Sequence, residues 1–429
     1  MSQPALQPPR GTRDFYPEDL RLRDWLFGHF REVARRFGFE EVDAPILEHA
    51  ELFTRKAGEE IVEQLYHFEL HDRHLALRPE MTPSIARMVM ARAGSLRLPL
   101  RWSCIPQCWR YERTTRGRRR EHYQWNLDIW GEPEVGAEAE LIAAIFALLE
   151  RLGVGPSEVR LRLSSRALLE ESLSRGVLRD RPGVFPALCV AIDKLDKIGA
   201  DAVIGLLTEP AGGVGLPLPD ARSVVAWLGL RDFESAAAEL PRDSRAASDL
   251  RRLFELLAVY GVADRVVFDA SVVRGLAYYT GVVFEASDAR GALRAICGGG
   301  RYDRLVEALG GPPLPAVGFG FGDAVICELL AELGKLPALP RALDAVVCPI
   351  GEACRAAAIR LAQVLRASGS SVELVLHDTR LKRVLGDAAK VGAAQVYLLG
   401  PEELAAGCVQ RRDLATGEQQ RVPLPAGVS

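Results

Sequence analysis

The sequence predicts a mixed α/β (α+β) chain, in which an antiparallel-sheet domain is interrupted by a helical insertion and followed by a small α/β domain. Three observations carry this. Alternating strand patterns flank a helix-rich middle on both sides. A proline-bearing linker, GKLPALPRALD, then separates these from a stretch where short β-rich runs alternate with helical periods. The length, 429 residues, exceeds one ordinary domain. The expected boundaries are 1–165 with 263–335 for the sheet domain, 166–262 for the insertion and 341–429 for the last domain.

The first ten residues, with three prolines, read as a loose tail. Over residues 18–37, Leu22, Leu26, Phe30, Val33 and Phe37 fall on one helical stripe, stopped by Gly38. EEVDAPILE has strand character broken by Pro45. QLYHFELHDRHLALRPE reads as a hairpin with HDRH at its turn, leading into a helix from Thr82. LPLRWSCIPQCWRYER and REHYQWNLDIWG read as two alternating strands joined by a polar loop, and a helix over 137–152 follows. Residues 159–164 form a strand candidate. The helix-rich insertion carries a loop, AGGVGLPLPD, near its middle. FDASVVRGLAYYTGVVFEAS and LRAICGGGRYD resume the strand pattern, and LPAVGFGFGDAVICELLAEL is a strand feeding a helix. In the last domain DAVVCPI, SVELVLH and QVYLLG are strands, with helices over 352–368 and 379–391.

Composition narrows the function classes. Hydrophobic content of 48% and charged content of 26% supply an ample core. The net charge of −3 excludes a histone-like general nucleic-acid binder, while local basic patches keep a nucleic-acid partner open. Eight scattered cysteines without a CxxC pair fit a reducing, cytoplasmic compartment. Cys104 and Cys108 share a strand face without making a metal site. No secretory signal and no membrane-spanning run is visible.

Three segments have the residues for chemistry. In WRYERTTRGRRREHYQWNLD, strand alternation sets Arg110 beside Glu112, and Gln124, Asn126 and Asp128 on one face of the returning strand. The loop holds Arg113, Arg116, Arg118, Arg119 and Arg120. Guanidinium groups suit phosphate oxygens, which they bind bidentately. A solvated basic loop or an RNA patch is the plain alternative. In ALRPEMTPS, Glu80 and Thr82 sit at a strand-to-helix junction, where Thr82 reads either as a helix cap or as part of an ammonium site. In VVRGLAYYTGVVFE, Arg274 is a lone charge in an apolar and aromatic stretch, costly to bury without a partner. Gly298, Gly299 and Gly300 permit close backbone approach without matching a phosphate-loop fingerprint. His67, His71 and His74 invite a metal site, but the hairpin turn places His71 and His74 away from a shared pocket, so no metal is expected.

These segments in this order resemble the class II aminoacyl-tRNA synthetases, and within them the histidyl-tRNA synthetase family. The resemblance runs from PRGTRDF and GFEEVDAPILEHAELF through the Arg110 segment, RGLAYYTG and GGGRYD to DLATGEQ, almost the whole chain. It implies ligation of L-histidine to tRNA(His) with ATP as substrate and Mg2+ accompanying it, and a homodimer built on the first motif. It implies Arg110 and Arg274 at the α-phosphate, Glu112 at the adenine amino group and Arg118 at the terminal phosphates. Glu80, Thr82 and Gln124 would take the α-ammonium. Asp128 and Tyr279 would bond the imidazole, with Tyr278 lining the pocket. Two departures stand out: Ala277 where the commoner signature has aspartate, and Val325 where the third motif has an arginine. Arg294 or Arg290 is the expected substitute. A histidine-binding regulatory subunit of a phosphoribosyltransferase and a non-catalytic tRNA-binding module are the rival readings. The C-terminal segment argues against the first, because such paralogues lack it. The absence of any fused signature argues against the second.

Overall fold

The computed structural model describes residues 6–54, 59–210, 214–238, 240–377 and 379–428. Residues 1–5 of the expected tail and 211–213 of the expected insertion loop lie outside them. Contacts divide the chain into two compact units, residues 1–14 with 23–336 and residues 15–22 with 337–429.

The first unit is built on a nine-stranded sheet. Its order is Glu40–Glu41, Leu100–Cys104, Glu121–Trp130, Ala316–Gly322, Cys297–Arg301, Val282–Asp288, Val159–Ser165 and Val266–Phe268, with Gln107–Trp109 also paired to Glu121–Trp130. The central pairings are antiparallel, as the alternating patterns predict. The pairings at the two ends of the order, Glu40 with Trp102 and Leu161 with Val266, are parallel. Helix Pro17–Arg36 lays Leu26, Phe27, Phe30, Val33 and Ala34 into the core. The Phe30 ring stacks on Trp125 at 5.3 Å. Helix Gly136–Arg151 is apolar nearly all round and buries eleven residues, nine of them in the same cluster. The helices between Arg166 and Leu228 carry a cluster of their own around Leu169, Leu188, Ile192, Val203 and Val224, whereas Leu250, Leu253 and Leu257 of helix Arg245–Val259 join the main cluster.

Three strand expectations are corrected. LPLRWSCIPQCWRYER is two short strands, broken at Ile105 and Pro106, because proline has no N–H for the ladder. Arg110 and Glu112 therefore follow a strand end rather than alternating along a strand. EEVDAPILE is likewise divided: Glu40–Glu41 joins the large sheet, whereas Leu47–His49 joins a separate three-stranded sheet with His67–Leu70 and Arg73–Leu77. Thirdly, residues 269–281, which include Arg274, Tyr278 and Tyr279, form a loop between Val266–Phe268 and Val282–Asp288. Arg274 has φ 61°, a left-handed conformation that no strand accommodates.

The second unit holds a five-stranded sheet in the order Val372–Leu374, Leu343–Pro349, Ala393–Leu399, Cys408–Asp413 and Gln419–Pro423. Helices Arg355–Ala367 and Leu381–Lys390 cover it with Leu361, Ala362, Val384 and Ala388. The final hairpin was not anticipated. Its signal is the Thr416–Gly417 turn, where Gly417 has φ 75°. No described helix is long and apolar enough to cross a membrane.

Candidate active site

A cleft of 1080 Å³ opens in the first unit. It is lined by Glu80, Thr82, Arg110, Glu112, Arg118, Gln124, Arg274, Tyr278 and Tyr279, so residues far apart in sequence converge. Asp128 lies just beneath this lining, 1% exposed, under Tyr302 and Gly318.

The floor owes its shape to missing side chains. Gln124, Asn126 and Asp128 pair in register with Gly322, Gly320 and Gly318. The intervening Phe319 and Phe321 point into the opposite core with Trp125 and Leu127. A Cβ on Gly318 would stand 2.5 Å from the Tyr302 hydroxyl and closer still to Asp128 Oδ1. One on Gly298 would fall within 2.5 Å of Cζ, Nη1 and Nη2 of Arg274. The signal for this in the sequence is the Gly-Phe-Gly-Phe-Gly alternation of residues 318–322.

Each predicted residue has a definite setting. Thr82 is not the helix cap: Met81 occupies that position, and Thr82 opens helix Thr82–Arg92 with its side chain on the cleft. Glu80 is 7% exposed and accepts a 2.6 Å hydrogen bond from the Tyr278 hydroxyl. Burial raises its pKa, with Arg110 pulling the other way. Tyr278 therefore holds a carboxylate as well as lining the cleft. Arg110 Nε donates to the Pro79 carbonyl at 2.9 Å, which joins the arginine segment to the Glu80 turn.

Asp128 is paired through only one of its two oxygens. Oδ1 accepts from the Tyr302 hydroxyl, while the buried Oδ2 has no partner. Burial pushes its pKa up to about 7, against the Tyr302 bond and with Glu80 adding repulsion. Tyr278, Tyr279 and Tyr302 cluster above it, with ring centroids 5.0 to 6.3 Å apart. Tyr302, within GGGRYD, is a site residue that local sequence pattern does not mark out.

On the arginine side, Arg118 Nε donates to Glu112 Oε2, and Arg294 Nη1 lies 3.9 Å from the same oxygen. Burial works against the Glu112 charge, but Arg118, Arg110 and Arg294 together hold its pKa below the ordinary value. Arg290 is committed elsewhere, to Asp288 and Glu332. Val325 is buried, and a Cβ on Gly117 of the arginine loop would sit 3.3 Å from its Cγ2. Arg116 reaches past it to Glu328 and Glu332. Arg274 Nη1 bonds Glu285 Oε2 at 2.6 Å, and Glu285 also holds Arg162. His122 lines the cleft uncharged, its pKa pushed down to about 3 by burial and Arg110.

Arg13 of PRGTRDF bridges Glu121 at 2.6 Å and Asp323 at 3.0 Å. The Gly11 carbonyl accepts from the Arg120 N–H. The opening segment thus braces the C-terminal end of the arginine loop and ties it to Asp323. His67 and His74 do touch, ring nitrogens 3.0 Å apart, while His71 takes a left-handed turn position. Among the described residues no group of three His, Cys, Asp or Glu side chains is arranged to hold a metal.

A glycine-floored antiparallel sheet with opposed arginines and buried carboxylates is the arrangement of the class II aminoacyl-tRNA synthetases. The comparisons specify it further. The family model described as histidyl-tRNA synthetase matches residues 11–322, and an anticodon binding domain model matches residues 344–428. A chloroplastic/mitochondrial histidine–tRNA ligase of Arabidopsis thaliana is 49% identical over 98% of this chain and 85% of its own length. A histidine–tRNA ligase of Opitutus terrae is 42% identical over 96% and 95%. The chain belongs to the histidyl-tRNA synthetase family. In fold it is similar to the crystal structure of histidyl-tRNA synthetase from Nostoc sp. PCC 7120, with TM-score 0.75, 24% identity and coverage of 98% and 97%.

Proposed function

We propose that the cleft carries out histidine–tRNA ligation in two steps, activation of L-histidine by ATP and transfer to the 3′ end of tRNA(His). The observation that carries this reading is one cleft joining two arginines, Arg110 and Arg274, to a buried acceptor, Asp128 Oδ2, that has no partner of its own. The sequence relatives are histidine–tRNA ligases over nearly the full chain, and this favours the ligase over the regulatory-subunit and tRNA-binding-module readings.

In the first step a carboxylate oxygen of histidine attacks the α-phosphorus and pyrophosphate leaves. Two anions must approach, so cations at the α-phosphate offset the repulsion and stabilise the charge that grows there. Arg110 and Arg274 take that part. No general base is needed, because the nucleophile is already ionised. Mg2+ accompanying ATP would supply positive charge for the leaving pyrophosphate. Glu112 accepts from the adenine amino group. Arg118, sharing Glu112, reaches the terminal phosphates, and Arg294 stands where it can replace the arginine missing at Val325. Glu80, Thr82 and Gln124 take the ammonium. Asp128 and Tyr279 bond the imidazole, with Tyr278 as wall. In the second step the terminal ribose hydroxyl of tRNA attacks the carbonyl carbon of the adenylate, and AMP departs.

Selectivity follows from Asp128. A buried acceptor left unpaired by other amino acids rejects them by ~10⁴-fold or more. The domain assignment proposed is catalysis in 1–165 and 263–335, a helical insertion in 166–262 and anticodon contact in 341–429. Leu47, Phe68 and Leu70, all 43 to 50% exposed, belong to strands of the three-stranded sheet and supply an apolar surface for a homodimer. The eight free cysteines fit a reducing, cytoplasmic compartment. The test is amino-acid-dependent exchange of pyrophosphate into ATP. Exchange with histidine alone is expected. Its absence in folded protein, or equal exchange with another amino acid, overturns the reading.

A further inference from the structure

Arg166 is 3% exposed, and its guanidinium bonds backbone carbonyls where a buried arginine ordinarily meets a carboxylate. A buried guanidinium is expensive, and apolar residues of similar volume usually serve stability as well or better. Its donors go instead to a single loop. Nε donates to the Val273 carbonyl at 2.9 Å, Nη1 to the Tyr279 carbonyl at 3.2 Å, and Nη2 to the Arg274 carbonyl. The backbone joins in, with the Arg166 N–H donating to the Gly281 carbonyl at 2.9 Å. Three carbonyls from residues 273–279 thus converge on one planar fork, which closes the mouth of the loop that carries Arg274, Tyr278 and Tyr279.

Arg274 supplies a second, independent observation. It is a non-glycine residue in the left-handed region, at φ 61°, where a Cβ crowds the neighbouring carbonyl oxygen. Such a conformation persists only where the surroundings over-determine it. Here its own carbonyl is one of the three held by Arg166.

We propose that Arg166 is a positioning residue for the activation step, fixing the loop backbone so that the Arg274 guanidinium and the Tyr278–Tyr279 pair face the cleft. The proposal rests on Arg274 acting at the α-phosphate. Lysine at 166 keeps the charge but lacks the planar fork that satisfies three diverging carbonyls.

The experiment is histidine-dependent pyrophosphate exchange with Arg166→Lys, Arg274→Ala and the double variant, each with a thermal melt. Arg166→Lys is expected to lower kcat by roughly 10²-fold, the cost of misplacing a reacting group by about 1 Å. It should raise histidine KM while leaving ATP KM near the parent's. In kcat the double variant should lose no more than Arg274→Ala alone, because on the activation step both act through the Arg274 guanidinium. A merely structural role would lower the melting temperature and leave kcat per folded molecule intact, which overturns the proposal. Losses that multiply in the double variant overturn it too. Should the lysine variant not fold, Arg166→Gln takes its place, and failure of both to fold assigns Arg166 to folding and overturns the positioning role. Parent protein without exchange would instead refute the ligase reading, a separate outcome.

Discussion

Replacing Gly298 by alanine separates the placement of Arg274 from the integrity of the sheet. The new Cβ would lie within 2.5 Å of the guanidinium carbon and both terminal nitrogens. Non-bonded heavy atoms settle at about 3.5 Å, so the group must retreat by about 1 Å. Glu285 limits where it can go, since its Oε2 already holds Nη1 at 2.6 Å. The obstructed atoms are the end of a flexible side chain, so the backbone and the fold survive. A displacement of this size at the α-phosphate lowers kcat by about 10²-fold, equivalent to about 2.7 kcal/mol in the barrier. Histidine-dependent pyrophosphate exchange measures it, beside a thermal melt close to the parent's. The neighbouring Gly299→Ala is the internal control. There a Cβ stands 2.6 Å from Phe319 Cβ and closer to the Gly318 carbonyl oxygen, a backbone atom that cannot swing aside. That variant should lose about 1–3 kcal/mol of stability through overpacking. Parent-like kcat in Gly298→Ala, or equal destabilisation by the two substitutions, refutes the reasoning.

Histidine KM should fall as pH rises through about 7, as Asp128 ionises and becomes a full acceptor. The folded value lies above the carboxylate's ordinary 3.8, so the protonated form stabilises the fold below about 7 and that contribution declines as pH climbs between the two values. Tyr302→Phe removes the donor that lowers the Asp128 pKa and should shift the KM transition upward; histidine's own titration is common to both proteins, and an unshifted profile sinks the idea. Arg294→Ala should raise ATP KM roughly tenfold by removing a charge-assisted contact, whereas Arg290→Ala, already spoken for by Asp288 and Glu332, should not. Unchanged ATP KM in Arg294→Ala removes that residue from the nucleotide site. Arg301→Met strands the fully buried Glu138, which accepts two 2.6 Å bonds from that guanidinium, and should cost about 3–5 kcal/mol in chemical denaturation. An unmoved midpoint contradicts it.

Periodicity made the helices at Pro17–Arg36, Thr82–Arg92 and Gly136–Arg151 legible, because each buries one face or nearly all of itself. The motif residues were legible by type and order, and nine of those expected at the site line one cleft. The settings of those residues were less legible. Strand-like composition concealed the loop at 269–281, since its shape depends on a left-handed Arg274 and a guanidinium from residue 166. The Tyr302 bond to Asp128 joins residues 174 apart, and nothing local in GGGRYD announces it. Glu285 looked like an ordinary strand carboxylate until sheet register set it between Arg162 and Arg274. Such pairings arise from topology, which alternation along one strand does not encode.

The bridge from Arg13 to Asp323 spans 310 residues, and the one to Glu121 spans 108. A ribosome makes Arg13 well before Asp323, which follows 310 residues later. The segment that braces the arginine loop must therefore wait, held at Arg120 and Glu121, until the late strand Ala316–Gly322 and its following helix are synthesised. Contacts of this separation carry a large closure entropy and form slowly. A growing chain that has not yet reached Ala316 lacks the last acceptor for Arg13 and the glycine strand of the floor together. Assembly of the site thus waits on that late strand, so a chain cut before it cannot complete the floor, even though it retains the Arg110 segment.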